Sequence, residues 1–366
     1  MKDLTEKLYY QNGHLARFTA RVLSCARDEK GWAVKLDRTA FFPGGGGQEA
    51  DEGELSGLNL LGLREEGEDI VHLVPEPLEP GALVEGKLNW PLRFARMQGH
   101  SGEHILSGTV HRLFGCDNVG FHMGAEDITI DFNAELSHED LARAELETNR
   151  AVWRNVPVRT LLPSPGELAE MEYRSKKELS GEVRIVEIEG VDRCACCAPH
   201  VGNTGEVGVV KIIDSMRHRG GTRLSILCGE AALADYEALH RSNAAVSAAL
   251  SAKRLETGAA IARIMSEQEE RKAELTRLKR EILQLKSAAL RPAAKGFALS
   301  YHTAPHASRK RQALFQKSLP FFLLHCLKGQ NARVGPKVLS RTPQPGQARP
   351  FSSKAQLKGC TTSALG

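Results

Sequence analysis

The sequence predicts an α+β chain, on three observations. Apolar and polar residues alternate at period two through Leu15–Leu23 and Trp32–Leu36; apolar residues fall at helical spacing from Arg93 to Phe114, with strand-like pairs after them; and residues 231–290 carry a heptad-like repeat flanked by charges. Together they divide the chain into a small β-rich, β-barrel-like N-terminal domain (1–90) and an α+β domain with two helices on an antiparallel sheet (91–230). A long helical coiled-coil arm (231–290) and an irregular basic tail (291–366) complete it.

The first alternating runs flank Asp28-Glu29-Lys30-Gly31 and read as a β-hairpin. Four glycines, Gly44 to Gly47, then allow a tight backbone path with exposed N–H groups. Short strands follow through Val71–Val74 and Leu83–Leu88, with Pro75, Pro77 and Pro80 breaking any longer element. The helix from Arg93 to Phe114 stops at Gly115. Strands at Val119–Gly124 and Ile128–Phe132 come next, and Ser137 caps a second helix running to about Asn155, with Asp140 completing a capping-box pattern. A strand at Val158–Leu161, a helix near Gly166–Glu172 and strands at Val183–Ile188, Val207–Ile213 and Arg223–Leu227 complete the domain. In the arm, Ile261, Ile264, Leu275, Leu278, Ile282, Leu285 and Ala289 fall on alternating three- and four-residue steps, interrupted at Gln268 and Arg271, in one continuous helical stretch that Pro292 ends.

The formal net charge of +4 hides an asymmetry. Residues 291–366 hold thirteen Lys and Arg and no acidic residue, so the first 290 carry 36 basic against 45 acidic side chains, a net of −9. A nucleic acid bound by the body must therefore meet local basic patches. The tail reads either as a disordered basic extension or, preferably for a stretch so free of acidic groups, as an out-of-frame C-terminus. The N-terminus lacks a signal-peptide apolar run and no segment is long enough to span a membrane, so a cytoplasmic protein is expected. Eight cysteines, three of them at Cys194, Cys196 and Cys197, suit metal ligands and free thiols in a reducing compartment.

The chemistry concentrates in two segments about ninety residues apart. On a helix, His100 and His104 stand one turn apart on one face, with Cβ atoms roughly 5–6 Å apart, close enough to share an ion. Cys196 and His200 repeat the spacing, and the four make a Cys-His₃ set suited to tetrahedral Zn²⁺. His111, seven residues past His104, competes as a ligand. Glu103 makes the local string His-x-x-Glu-His, as in one class of metallopeptidase, but the acidic third ligand which that class needs is replaced by Cys196 and His200. The glycine run has no Gly-Lys-Ser/Thr after it and is no nucleotide loop by rule.

Four motifs in order, Thr39–Gln48 (TAFFPGGGGQ), His100–His104, Asn118–Gly124 (NVGFHMG) and Cys196–Gly208 (CCAPHVGNTGEVG), strongly resemble the free-standing alanyl-tRNA editing proteins, relatives of the editing domain of alanyl-tRNA synthetase. The resemblance covers about residues 10–290. It implies hydrolysis of the ester joining a wrong amino acid, serine or glycine, to tRNA(Ala), with zinc on His100, His104, Cys196 and His200. It implies also that Gly45, Gly46, Gly47 and Gln48 border the aminoacyl end, and that Thr39 acts beside His100 and His104 by contacting the serine hydroxyl. Cys197-Ala198-Pro199 departs from the Gly-Gly-Thr more usual in synthetases, Gly99 stands where a polar residue is expected, and the segment after Pro292 does not match. Serine is larger than alanine, so sparing alanine requires a hydrogen bond to the hydroxyl rather than exclusion by size. A non-catalytic tRNA-binding module with structural zinc is the alternative. The arm suggests self-association as a homodimer or a tRNA-holding element.

Overall fold

The computed structural model describes residues 4–175 and 183–289. In chain order these form β1 (Glu6–Lys7), α1 (Leu8–Gln11), β2 (Arg17–Asp28), β3 (Gly31–Leu36), β4 (Arg38–Thr39), β5 (Gly53–Leu55), β6 (Leu58–Asn59), β7 (Gly62–Glu66), β8 (Asp69–Val74), β9 (Leu83–Leu88), α2 (Trp90–Phe114), β10 (Asn118–Met123) and β11 (Ile128–Phe132). Next come α3 (His138–Trp153), β12 (Val158–Leu161), α4 (Pro165–Glu170), β13 (Ile185–Ile188), β14 (Asp192–Ala195), a 3₁₀ turn (Thr204–Val207), β15 (Val210–His218), β16 (Gly221–Cys228), α5 (Gly229–Leu250) and α6 (Thr257–Ala288). The result is mixed α and β with several antiparallel sheets, as expected. The chain divides into two compact units after Lys272.

The expected hairpin is β2–β3, paired from Val22 opposite Leu36 to Asp28 opposite Gly31. It sits in a seven-stranded antiparallel sheet of order β6-β5-β9-β2-β3-β8-β7. Alternation does its work along β2, where Phe18, Ala20 and Val22 are buried against Val34, Leu36, Phe41 and Val84 while their neighbours face outward. The barrel-like closure expected for residues 1–90 is not found. The ladder ends at β6 and β7, and no pairing joins them among the described residues. Within it β2 bends: its first half, Arg17–Arg21, pairs with β9 and its second with β3, with a register shift between Val22 and Ser24.

In the α+β part α2 and α3 pack against the antiparallel sheet β10-β11-β16-β15. α2 is buried for most of its length, and Met97, Ile105, Leu106 and Val110 share a core with Ile130 and Ile226. The capping box at Ser137 is present, Asp140 N–H donating to Ser137 Oγ at 3.1 Å and Ser137 N–H to the Asp140 carboxylate at 3.0 Å. A second, three-stranded sheet, β12-β13-β14, pairs Ile185 with Ala195 and Val186 with Cys194. Its last strand was not expected. It delivers Cys196 as the first residue past the sheet. The NTGEVG motif is structural: Thr204 Oγ1 donates to Ala151 O (2.8 Å) at the end of α3, and Gln98 on α2 donates to Glu206 O (2.9 Å).

The single continuous arm is corrected to two helices. Ser251 takes a left-handed conformation (φ 49°) that closes α5, and Asn243 holds the following turn by donating to Arg254 O (2.8 Å) while accepting from Thr257 Oγ1 (2.9 Å). No Gly or Pro announces the break. Among the described residues no helix is long and apolar enough to cross a membrane. The tail expected at 291–366 lies outside the described residues.

Candidate functional site

Helix α2 presents His100 and His104 on one buried face, their ring centroids 5.4 Å apart. The loop leaving β14 brings His200 to 4.9 Å from the first ring and 4.6 Å from the second. Cys196 Sγ lies 3.5 Å from His100 Nε2 and 3.4 Å from His200 Nε2. The four donor atoms all fall within 4.8 Å of one another, a group able to hold a metal ion. His111 is not among them; it is half-exposed and pairs with Asp117 at 3.0 Å.

What orients these donors is a ring of bonds to the other nitrogen of each imidazole. His100 Nδ1 meets Gln48 Oε1 at 2.8 Å, His200 Nδ1 meets Ser101 Oγ at 3.0 Å, and His104 Nδ1 meets Asp192 Oδ2 at 3.2 Å. With every Nδ1 engaged, the Nε2 atoms are left for the shared centre. The turn carrying Cys196 is held by Arg184, which donates to Cys196 O (2.9 Å) and Ala198 O (2.8 Å) and lies over the Tyr10 ring (5.1 Å). Burial opposes a charge on Cys196, but His100 and His200 beside it and hydrogen bonds from His100 and His104 outweigh that, holding the thiol well below its usual range. Burial takes His200 down to about 3, so it is a neutral ligand.

The glycine run makes a two-residue turn. Gly45 and Gln48 exchange N–H···O bonds of 2.9 and 3.1 Å around Gly46 (φ 60°) and Gly47 (φ 90°), a conformation that suits glycine. Gly47 is needed for closeness as well, since a Cβ there would lie 2.6 Å from the Phe121 ring. Gly47 O accepts from Met123 N–H at 3.0 Å, so the turn lies on β10. Gly46 and Gly47 thus line a cavity of ≈ 920 Å³ together with His100, His104, Phe121 and Cys196.

Gln48 and Thr39 fall elsewhere than a substrate wall. Gln48 is buried, its carbonyl on His100 and its Nε2 without a partner among the described residues. Thr39 is buried in β4, paired in parallel with Lys7 of β1, and does not line the cavity. Burial lowers His72 to about 4; its ring is neutral, Nδ1–H donates to Val34 O (3.2 Å), and Thr39 Oγ1–H therefore donates to His72 Nε2 at 2.8 Å while accepting from Phe41 N–H at 3.1 Å. Glu103, the base of a peptidase reading, turns to Ser107 Oγ and Asn118 Nδ2, both at 2.6 Å, and stays 3.9 Å from His104 Nε2.

Sequence comparison agrees with the motifs. Residues 183–224 match the threonyl and alanyl tRNA synthetase second additional domain, a span that contains Cys196 and His200. The chain is 32% identical over 237 residues to the alanyl-tRNA editing protein Aarsd1 of Danio rerio, covering 60% of this chain and 58% of that protein. It is 30% identical over 240 residues to the alanyl-tRNA editing protein AlaX-L of Pyrococcus horikoshii, covering 63% and 59%. Against the alanine–tRNA ligase of Thermococcus kodakarensis it is 33% identical over 306 residues, 78% of this chain and 32% of the ligase. The chain thus spans about three fifths of the first two relatives. The resemblance expected from the ordered motifs holds, and the chain is a relative of the alanyl-tRNA editing proteins.

Proposed function

We propose that this chain is a trans-editing hydrolase that cleaves the ester of Ser-tRNA(Ala), and of Gly-tRNA(Ala), with Zn²⁺ held by His100, His104, Cys196 and His200. The observation that carries the reading is the convergence of those four donors within 4.8 Å, with His100, His104 and Cys196 on the wall of a cavity. Their spacing suits zinc: with Zn–S about 2.3 Å and Zn–N about 2.0–2.1 Å, a tetrahedral site sets sulfur and nitrogen about 3.5 Å apart. The Cys196 sulfur is 3.5 and 3.4 Å from two imidazole nitrogens.

When bound, Zn²⁺ supplies a Lewis acid that can polarise a carbonyl or a water. The protein's own part is orientation. Gln48, Ser101 and Asp192 fix the imidazoles, and the Gly46–Gly47 turn offers a backbone edge with no side chain to block the aminoacyl end. Gln48 acts on the site through the His100 ring, its buried Nε2 having no partner among the described residues. An aminoacyl ester is activated, so orientation and a stabilised oxyanion carry much of the barrier. Full-length protein should hydrolyse Ser-tRNA(Ala) well above the spontaneous rate and leave Ala-tRNA(Ala) nearly untouched. Equal, uncatalysed decay of both would leave only a tRNA-binding module.

A homodimer through the second helix of the arm belongs to the same proposal. Ile264, Leu275, Leu278, Ile282 and Leu285 of α6 are exposed, and such a stripe is buried when a second copy packs on it. Light scattering should give twice the chain mass; a monomer at micromolar concentration removes the dimer.

A further inference from the structure

Asp192 belongs to neither motif that marks the site, yet it is 2% exposed in its side chain and sits behind His104. Its Oδ2 accepts from His104 Nδ1 at 3.2 Å. Both its oxygens also receive Arg174, Nε to Oδ1 at 2.7 Å and a terminal guanidinium nitrogen to Oδ2 at 2.9 Å, a two-point clamp. Arg174 is itself pinned to the strand that carries Asp192, its N–H donating to Arg193 O (2.8 Å) and its carbonyl accepting from Ala195 N–H (3.0 Å). The approach of this strand to α2 depends on Gly108, one turn beyond His104. A Cβ at 108 would stand 2.6 Å from Asp192 Cβ and 2.6 Å from Val191 O. Inside a helix glycine is disfavoured against alanine, so its use here answers to this contact.

We propose that Arg174, Asp192 and Gly108 form one positioning device: Gly108 admits the carboxylate, Arg174 fixes its direction, and Asp192 holds the His104 ring with its Nε2 turned to the metal. The inference rests on the metal-site reading above. His104, Asp192 and Cys194 also lie within 4.8 Å of one another and could be taken for a second metal group. That reading is weaker, because Arg174 already occupies both oxygens of the carboxylate and His104 is shared with the first group.

The test is zinc affinity of the full chain, prepared metal-free and titrated against a chromophoric chelator, for the wild type, Asp192→Asn, Arg174→Gln and Gly108→Ala. Thermal unfolding of each metal-free form is followed in parallel. Loss of an outer partner of a metal-bound histidine typically weakens binding about 10–100-fold. Asp192→Asn and Gly108→Ala should both fall in that range, with Arg174→Gln less affected because the carboxylate remains. A purely structural role would lower the unfolding midpoint of the metal-free forms and leave the zinc affinity of the folded fraction unchanged, and that result overturns the proposal. Two zinc ions per wild-type chain would overturn it too, making Asp192 a ligand. Should Asp192→Asn fail to fold, Gly108→Ala and Arg174→Gln decide: affinities equal to wild type sink the idea. A wild type that binds no zinc instead removes the metal reading beneath it, a failure recognisable before any variant is made.

Discussion

Cys196→Ser should abolish zinc retention and deacylation together. The thiolate is the one anionic donor of the four, and its charge is favoured by His100 beside it and by hydrogen bonds from His100 and His104 in a place where burial alone would neutralise it. A buried serine hydroxyl stays protonated and offers a weak, neutral oxygen, so the site loses its charge match to a divalent ion as well as a ligand. Because outer-shell losses already cost about 10–100-fold, removal of the thiolate should cost on the order of 100-fold or more in affinity. Zinc content after desalting and the rate of Ser-tRNA(Ala) hydrolysis are the two measurements. A variant that keeps its rate while losing its zinc would show that the metal is not required by the reaction.

Asp51→Asn should be among the most destabilising single changes in the N-terminal sheet. Asp51 and Arg93 form an ion pair with both side chains 1% exposed. Arg93 Nε donates to the two carboxylate oxygens at 3.0 and 3.1 Å, and the guanidinium also reaches Gly13 O (2.9 Å) and Ala40 O (2.6 Å). Asp51 closes the base of the glycine loop as well, accepting from Phe42 N–H at 2.7 Å. Removing the carboxylate charge strands a buried guanidinium, a loss of about 3–5 kcal/mol. The urea midpoint should fall accordingly with an unchanged slope, and a drop below about 1 kcal/mol would mean that the pair is worth little here. Replacing both partners with apolar residues of similar volume should recover much of the loss, since the penalty comes from the unpaired charge. Zinc affinity should weaken too, because Gln48 hangs from the same loop.

Much of this organisation was legible in the sequence where the signal is local. Period-two alternation placed β2 and β3, and Ser137 with Asp140 placed the start of α3, because those patterns depend only on neighbouring residues. The four metal-competent donors stood out by residue type at four-residue spacing. The residues that aim them did not. Gln48 and Ser101 lie inside the motifs and Asp192 and Arg184 outside them, but their partners lie 52, 99, 88 and 12 positions away, so nothing nearby in the chain shows which ring or turn each one holds. The bent pairing of β2 escaped for the same reason: strand neighbours are chosen by tertiary packing. β14 was hidden inside the cysteine cluster, where Cys194 serves as a buried strand residue opposite Val186. The break at Ser251 lacks the glycine or proline that ordinarily punctuates a helix.

The split of the donor set between α2 and the turn past β14 also has a meaning in time. A ribosome adding about 5–20 residues per second needs roughly 5–20 s to travel from His104 to Cys196. During that interval a nascent chain owns two imidazoles and no thiolate. On the metal-site proposal, an ion held by all four donors could be captured only after the second cluster has emerged.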